Sequence, residues 1–314
     1  MQIHPRNLPL ALLCAALLSA CGGGSSGGSS STPPLAATPV ITSSNFTSVA
    51  AQAWAGSEVF SSGSASGGGA SQPISVSNQV NDILGKAQSA VQQLDVLERS
   101  FSESCSGGGS LTAGFKLLVA RSLTPGAKLD VSGVNCNINS VNLDGKLSLQ
   151  IAQGSGTNLD LLFTNLSLSS SSEKLTLDGD AKINQANGLR TTSGNRLRLV
   201  FSRNGTQVLD QTLSNFSYSQ NTLGTGEGSR VTGTLTSQSS SLGTVSMNLQ
   251  TNQAFVGASN GNPQSGVMTV TAGTSTIKLT ALEGNKVRVD FSANGDATIN
   301  QTQTLTWDEF KSKK

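Results

Sequence analysis

Residues 286–291 read Lys286-Val287-Arg288-Val289-Asp290-Phe291, with charged and apolar side chains in strict alternation. Successive side chains of a β-strand point to opposite faces, so this pattern predicts a strand with one buried face and one wet face. The same period of two recurs from Leu111 onward, and turn-forming residues separate the runs. Further alternating sets are Leu159, Leu161 and Phe163; Leu175 and Leu177; Leu197, Leu199 and Phe201; and Ile277 and Leu279. Residues 105–310 are therefore predicted to form an antiparallel β domain.

The connections between these runs indicate a meander. Asn204-Gly205 and Asn294-Gly295 each lie between alternating runs and predict two-residue hairpin turns, because both central positions of such turns need a positive φ. A loose internal echo is also present: Leu143-Asp144-Gly145-Lys146-Leu147 recurs as Leu177-Asp178-Gly179-Asp180-Ala181 and, faintly, as Val231-Thr232-Gly233-Thr234-Leu235. Its unequal spacing predicts repeated hairpin units in one sheet rather than a solenoid.

Residues 41–100 form a helical segment in this interpretation. Residues 45–54 place apolar side chains at helical spacing behind a Ser or Asn cap candidate, which predicts a short helix. A Ser/Gly loop follows over residues 61–72, and Val80 to Leu97 then carries one apolar stripe over about five turns. Because a sheet with one apolar face and a helix with one apolar stripe cover each other, we expect a single domain. Its predicted form is a curved antiparallel sheet, or open half-barrel, of about ten or more strands wrapping the long helix.

The first seven residues carry one charged side chain, Arg6, and an apolar run from Leu8 to Ala20 follows. This run is shorter than the ~20 residues that a membrane-spanning helix needs, and its order is typical of a secretory signal peptide over residues 1–20. Residues 21–40 are rich in Gly, Ser and Pro, and predict a flexible tether. The folded part can therefore lie at some distance from residue 21, where this tether begins.

The stretch Leu18-Ser19-Ala20-Cys21 resembles the lipobox of bacterial lipoproteins. This resemblance implies that Cys21 is lipidated with acyl chains such as palmitate and becomes the first residue of the mature protein. Gly22 stands where an Asp would imply retention at the inner membrane, so the resemblance implies the outer membrane of a Gram-negative host. A signal peptide that is cleaved without lipidation is the alternative.

Cys105 and Cys136 remain once Cys14 is removed with the signal and Cys21 is lipidated. In an exported protein two such cysteines are expected to pair. The chain-entropy estimate gives such a bridge about 3.5 kcal/mol of stabilisation. Because Cys105 follows the predicted long helix, we expect the bridge to join the end of that helix to an early strand. A redox or metal role is the alternative.

Charge and composition exclude several classes of function. Only 12% of the residues are charged, the net charge is +2, and the basic residues form no stripe, so nucleic-acid binding is disfavoured. The single histidine, His4, lies in the predicted signal peptide. A mature chain without histidine lacks the base of the Ser-His-Asp triad and the ligand of most catalytic zinc sites, so no catalytic residues and no cofactors are assigned. Glycosidase-like carboxylate pairs remain open, although no pair stands out.

One stretch matches part of a calcium-binding loop. Asp290, Ser292, Asn294 and Asp296 occupy the first, third, fifth and seventh places of an EF-hand-like pattern, in which alternate oxygens converge on the ion. Gln301 stands where the pattern needs a bidentate Glu. An Asn-Gly turn is the competing interpretation, and no metal site is assigned.

Both ends of the chain resemble a group of uncharacterised proteobacterial outer-membrane lipoproteins. The similarity rests on Cys21-Gly22-Gly23-Gly24 with its Ser/Gly tether, on residues 41–53, and on the tail from Ser265 to Thr306-Trp307-Asp308-Glu309-Phe310. It implies an exported, β-rich protein, anchored by lipid and facing the periplasm or the cell surface, and it brings no catalytic residues.

These observations predict a non-enzymatic protein with a structural, adhesive or assembly role at the outer membrane. Its expected partners are the membrane, through Cys21, and a protein of the cell envelope. The alternative is a carrier or receptor for an apolar ligand, such as lipid or lipoprotein acyl chains, because a helix inside a half-closed sheet resembles the carriers of lipoprotein sorting in outline. A filled interior favours the first function, and an apolar cavity of ~300 Å³ or more favours the second.

Overall fold

A computed structural model describes residues 41–58, 98–105, 107–116, 124–138, 141–153, 157–169, 172–221, 227–239, 242–257 and 262–313. Fourteen strands form one sheet in which spatial order equals chain order. Every described pair of neighbouring strands is antiparallel. The prediction of a mainly β, antiparallel meander is therefore confirmed. Within the described part of the chain the first and last strands do not pair with each other, so the sheet is open.

Two helices accompany the sheet. The helices are α1 (Phe46–Glu58) and α2 (Trp307–Lys311). The strands are β1 (Glu98–Ser104), β2 (Ser110–Lys116), β3 (Lys128–Ile138), β4 (Val141–Ile151), β5 (Thr157–Ser169), β6 (Glu173–Ala186), β7 (Leu189–Arg203), β8 (Thr206–Asn221), β9 (Glu227–Ser239), β10 (Gly243–Gly257), β11 (Ser265–Ala272), β12 (Ser275–Leu282), β13 (Lys286–Ser292) and β14 (Gln301–Thr306). We call β1–β7 the N-terminal half of the sheet and β8–β14 the C-terminal half.

The predicted alternation sets the inner face of the sheet. In β13, Val287, Val289 and Phe291 are buried on the face that also receives α1, which we call the inner face. The opposite, outer face carries most of the polar side chains. Asp290 is also buried although it points outward, because its carboxylate accepts hydrogen bonds from Arg288 and Thr302.

A row of β-bulges crosses the middle of the sheet. In β5 the buried side chains run Leu161, Phe163 and then Leu166, and the pairing of β5 with β6 shifts register between Phe163 and Leu166. Asn165 lies within this interruption, and its φ of +46° is in the left-handed region. The bulge keeps apolar side chains on the inner face on both sides of the interruption, and it bends the strand.

The sequence echo supplies the glycines of this row, each opposite an asparagine on the neighbouring strand. Gly145 in β4 faces Asn165, and a Cβ at Gly145 would overlap the carbonyl oxygen of Asn165. A Cβ at Gly233 in β9 would come within 2.8 Å of Phe216 Cα in β8, beside Asn215, whose φ is +46°. The repeated motifs lie within strands of one sheet, at its bulges rather than at the turns between strands. Their bulges require a left-handed residue on one strand and a residue without a side chain on its neighbour.

Only one of the two predicted Asn-Gly hairpins forms. Asn204 and Gly205 have φ values of +50° and +75° and join β7 to β8, with Arg203 opposite Thr206. The prediction at Asn294-Gly295 is wrong, because β13 ends at Ser292 and β14 begins at Gln301. Residues 293–300 make a longer connection, held where the Ala293 N–H donates to Asn300 Oδ1 at 2.7 Å.

The helical segment is described only in part. Helix α1 lies where a short helix is predicted, and its first turn follows the Thr42 N–H donating to Asn45 Oδ1. The predicted loop over residues 61–72 and the predicted long helix from Val80 to Leu97 lie outside the described residues. Strand β1 begins at Glu98, so the sheet takes in the last residues of the segment predicted as 41–100.

Candidate functional site

The inner face of the C-terminal half is covered by α1. The helix packs against β8, β9, β10, β12, β13 and α2. Its buried side chains include Phe46, Val49, Ala50, Ala53 and Trp54. A Cβ at Gly56 would come within 2.8 Å of Leu235 Cδ2 in β9, so the end of the helix lies almost directly on the sheet.

An aromatic cluster holds α1 and α2 together over the sheet. The rings of Trp54 and Trp307 lie 4.8 Å apart, Trp54 meets Phe255 edge-on at 4.8 Å, and Trp307 meets Phe310 at 5.7 Å. The indole N–H of Trp307 donates to the carbonyl of Pro263 at 3.0 Å. Aromatic pairs in these geometries add to the stabilisation that burial alone provides. Trp307 and Phe310 therefore close the C-terminal end of the core.

A polar cluster lies buried beneath α1. Gln211 in β8 donates from Nε2 to the backbone oxygen of Gln52 at 3.0 Å, and Gln52 donates from Nε2 to Ser239 Oγ at 2.9 Å. Both glutamines are almost fully buried, as is Ser237 beside Gln211. These bonds set the position of the helix along β8 and β9, because a shift of α1 would leave buried amides without partners.

A second polar cluster lies on the inner face near the start of β7 and the end of β8. Arg190 is 3% exposed, and its neighbours Thr192, Tyr218 and Gln220 are also buried. Burial lowers the pKa of the Arg190 guanidinium, and Tyr218 opposes that shift. The cluster places a cation at an inward position of β7, whereas Leu197 and Leu199 occupy inward positions further along the same strand.

The inner face of the N-terminal half is as well buried as that of the C-terminal half. Leu147, Leu161, Phe163, Leu177 and Ile183 are all nearly inaccessible to solvent. Among the described elements, α1 packs chiefly on the other half. The interior is therefore filled along the whole sheet, whereas its described helical cover is confined to one half.

The disulfide lies at the N-terminal edge of the sheet. Cys105 and Cys136 are bonded, with their Cα atoms 5.4 Å apart, as the sequence predicts. Cys105 follows β1 and Cys136 lies in β3, so the bridge joins two strands across β2. This corrects the expectation that the bridge joins the long helix to the sheet, and the difference arises because β1 intervenes between Leu97 and Cys105.

Three of the four calcium candidates, Asp290, Ser292 and Asp296, form hydrogen bonds within the protein, and Asn294 is exposed. Asp290 lies in β13 and binds Arg288 and Thr302 across the outer face, at 3.0 and 2.8 Å. Asp296 accepts from Ser292 Oγ and from the Thr298 N–H, which makes a small turn within residues 293–300. Within the described ranges no group of three or more Asp, Glu, His or Cys side chains could hold a metal ion. The proposed lipidation site, Cys21, lies outside the described residues.

The outer faces of the two halves differ in charge. The N-terminal half carries ion pairs between neighbouring strands. They are Lys146 with Asp130 at 3.4 Å, Lys182 with Asp160 at 3.8 Å, Arg196 with Asp178 at 3.2 Å and Arg203 with Glu173 at 3.1 Å. Arg198 and Asp210 pair at 2.6 Å across the boundary between the halves, and the hydrogen bond to Asp210 raises the pKa of Arg198.

Hydroxyl and amide side chains replace charge on the outer face of β9–β11. Thr234 Oγ1 donates to Asn248 Oδ1 at 2.9 Å, and Thr269 Oγ1 donates to Asn252 Oδ1 at 2.7 Å. Glu227 and Arg230 are the only charged residues in the sequence between Asp210 and Lys278. We call the outer side of β9–β11 the hydroxyl face.

Comparisons with protein families, with curated proteins and with solved structures find no match to this chain. In the part of the chain that the structure describes, neither helix is long and apolar enough to cross a membrane. The candidate functional surfaces are therefore identified from the residues of this chain alone.

Sequence reasoning missed the two buried polar clusters. Arg190 and Gln211 occupy inward positions of alternating strands, where the pattern elsewhere places Leu, Val or Phe. A polar residue at an inward position is a signal that could have been used. The bulges obscure it, because each one changes which positions point inward.

Proposed function

We propose that this protein is a lipid-anchored, non-enzymatic component of the outer membrane with a structural, adhesive or assembly role. The observation that carries the proposal is the hydroxyl face, a broad and nearly uncharged surface backed by a filled core. Charge keeps exposed surfaces apart from one another, so a surface that lacks it is suited to contact with a partner. The ion-paired N-terminal half has no such surface.

The burial of the inner face supports a scaffold over a carrier. Inward side chains in both halves, such as Leu161 and Leu249, are almost fully buried. A carrier of lipid would have to displace part of its own chain before an acyl chain could enter.

We propose further that residues 80–97 form the predicted amphipathic helix and cover the inner face of the N-terminal half. Helix α1 lies on β9 at Gly56, whereas β1, which follows residues 80–97 in the chain, is the strand at the opposite edge of the sheet from β14. A helix of this length would extend about 27 Å, at 1.5 Å per residue, and its single apolar stripe would meet the buried leucines of β4–β6.

The lipid anchor is tested by replacing Cys21. Cys21→Ser should move the protein from the membrane fraction to the soluble fraction and abolish incorporation of radiolabelled palmitate. Cys14→Ser, within the predicted signal peptide, is the matched control and should change neither. Membrane association and labelling that persist in Cys21→Ser would refute the anchor without bearing on the hydroxyl face.

The scaffold role is tested by site-specific crosslinking in intact cells. A photoreactive residue at Asn248 on the hydroxyl face should give a discrete adduct, and the adduct should disappear when Ser246 is replaced by Arg. The same probe at Lys182, which is exposed on the ion-paired half, is the control. Equal adducts from both positions, or none from Asn248, would contradict a role for this face.

The carrier alternative predicts a different outcome. Solvent extraction of protein purified from native membranes, followed by mass spectrometry, should release no stoichiometric lipid beyond the covalent anchor. One bound lipid per chain would overturn the scaffold proposal in favour of the carrier.

A further inference from the structure

The two edges of the sheet differ in how they are protected. Strand β1 carries Glu98, Arg99 and Glu103, whereas residues 297–306, which include all of β14, contain no charged residue and no proline. The pairing of β14 with β13 has no bulge. Charge, proline and bulges are the usual devices that prevent an exposed edge from pairing with another strand. Between Gln301 and Thr306 the edge at β14 has none of the three.

The ladder with β13 determines which backbone groups of β14 point outward. The Trp307 N–H donates to the carbonyl of Asn285 at 3.1 Å, in the same register that places Leu305 opposite Val287. Backbone groups of an antiparallel strand point alternately to its two neighbours. Odd-numbered residues of β14 therefore bond to β13, and the even-numbered residues direct their N–H and C=O groups away from the sheet.

Two residues of β14, Thr302 and Thr304, present backbone N–H and C=O groups at the open edge. The Thr306 N–H donates to Glu309 Oε2 at 2.8 Å, so the cap of α2 already uses that donor. Thr302 and Thr304 thus offer an N–H and a C=O each at the open edge. Ile299, just before the strand, is 57% exposed, which is unusual for an isoleucine beside a sheet edge.

We propose that β14 is a self-association edge, at which a second copy of this chain adds its own β14 in antiparallel orientation. A two-fold axis through Gln303 places Thr302 of each copy opposite Thr304 of the other. In that register the four outward N–H groups of the two copies each meet a carbonyl, and the sheet continues from one copy into the next. The same symmetry places the uncharged strand against itself, so no like charges face each other.

This inference goes beyond the proposed function and is independent of the anchor. Gln303 forms a non-hydrogen-bonded pair with Gln303 of the second copy, for which the two Cα atoms would lie about 4.5 Å apart. That spacing falls within the range that a disulfide spans. A cysteine at this position therefore reports directly on the predicted register.

The test uses the full-length chain purified in detergent and oxidised with copper phenanthroline. Gln303→Cys should form a reducible covalent dimer, at least tenfold more than the parent chain, which serves as the control for Cys21. Ser102→Cys in β1 is the matched edge control and should remain monomeric. Adding Thr304→Lys to Gln303→Cys should reduce the dimer at least tenfold, because lysine at an edge opposes pairing.

Three outcomes would overturn the proposal. They are a Gln303→Cys dimer no stronger than the Ser102→Cys background, crosslinking between Gln303→Cys and Ser102→Cys chains in a mixture, and a dimer that survives Thr304→Lys unchanged. The second outcome would mean that β14 binds β1 of the next copy in a head-to-tail chain. Thermal melting of each variant confirms that it is folded before the crosslinking is interpreted.

Discussion

The two halves of this sheet have the same strand pattern but are stabilised by different means. The C-terminal half is held on its inner face by α1 and by the aromatic cluster around Trp54 and Trp307. The N-terminal half is held at its edge by the Cys105–Cys136 bridge, and its outer face carries most of the ion pairs. Surface ion pairs contribute little to stability, with a median of about 0–1 kcal/mol each.

This difference shows that the two halves of a long meander can be stabilised by different interactions. A chain with few aromatic residues places several of them where two helices meet the sheet, and it uses a covalent bond at the edge of the other half. The half stabilised from inside has few charged residues on the outer side of β9–β11, and this hydroxyl face is the one that we propose for partner contact. The row of bulges is common to both halves.

The largest effect is expected from removing the centre of the aromatic cluster. Trp307→Ala should lower the free energy of unfolding by about 4 kcal/mol, because it removes a fully buried ring and leaves a cavity. Trp307→Phe, which keeps a ring but loses the bond to Pro263, is the control and should lose less than half as much. Urea denaturation measures both. A loss below about 1 kcal/mol for Trp307→Ala would mean that the cluster does not hold the C-terminal half.

Removing the bridge should have the next largest effect. Cys105→Ala combined with Cys136→Ala should lower the free energy of unfolding by about 3.5 kcal/mol, since the unfolded chain regains the freedom that the loop closure removes. Reduction of the parent protein should reproduce this loss, and reductant should not affect the double variant. Equal stability of the parent protein with and without reductant would contradict the account.

The bulge row should be equally sensitive in both halves. Gly145→Ala and Gly233→Ala should each lower the free energy of unfolding by about 2–3 kcal/mol, because their φ values of +93° and +139° strain any side chain and their neighbours leave no room. Gly114→Ala, with nothing within 4 Å of the added atom, is the control and should change stability by less than about 0.5 kcal/mol. Unequal losses at Gly145 and Gly233 would show that the row differs between the halves.

The smallest effect is expected at the cap of α2. Thr306→Ala should cost about 1 kcal/mol, since Thr306 Oγ1 accepts the Glu309 N–H. Hydrogen bonds from the backbone and then the side chain of Thr306 lower the pKa of Glu309. The carboxylate therefore stabilises the fold above its unfolded pKa, and this contribution is lost as the pH falls through its lowered folded pKa. Acid titration of Glu309→Gln should show a smaller loss than the parent, and identical acid profiles would contradict the capping box.

The sequence predicts the class of fold well and its interruptions poorly. Alternation in segments such as 286–291 is a local property, so it identifies strands without knowledge of their partners. The Asn-Gly pair at 204–205 forms its turn because alternating strands pair directly on both sides, whereas the pair at 294–295 lies inside a longer connection. The bulge at Asn165 could have been found from the spacing of Phe163 and Leu166, which is three residues where the pattern requires two.

The candidate site could be predicted only in part. The bridge between Cys105 and Cys136 follows from the count of cysteines, but its place between β1 and β3 depends on a strand, Glu98–Ser104, that has little apolar alternation. Gln52 and Gln211 are far apart in the sequence and come together only when α1 packs on β8. Long-range polar contacts of this kind have no local signal.

The separate stabilisation of the two halves is tested most directly by hydrogen exchange with peptide resolution. Exchange should be followed on the full-length parent protein, on Trp307→Ala, and on the double variant at Cys105 and Cys136. The account predicts faster exchange in α1 and β8–β14 for Trp307→Ala, and in β1–β3 for the double cysteine variant, with the remaining strands unchanged in each case. Faster exchange over the same strands in both variants would contradict it, because the sheet would then be stabilised as one unit.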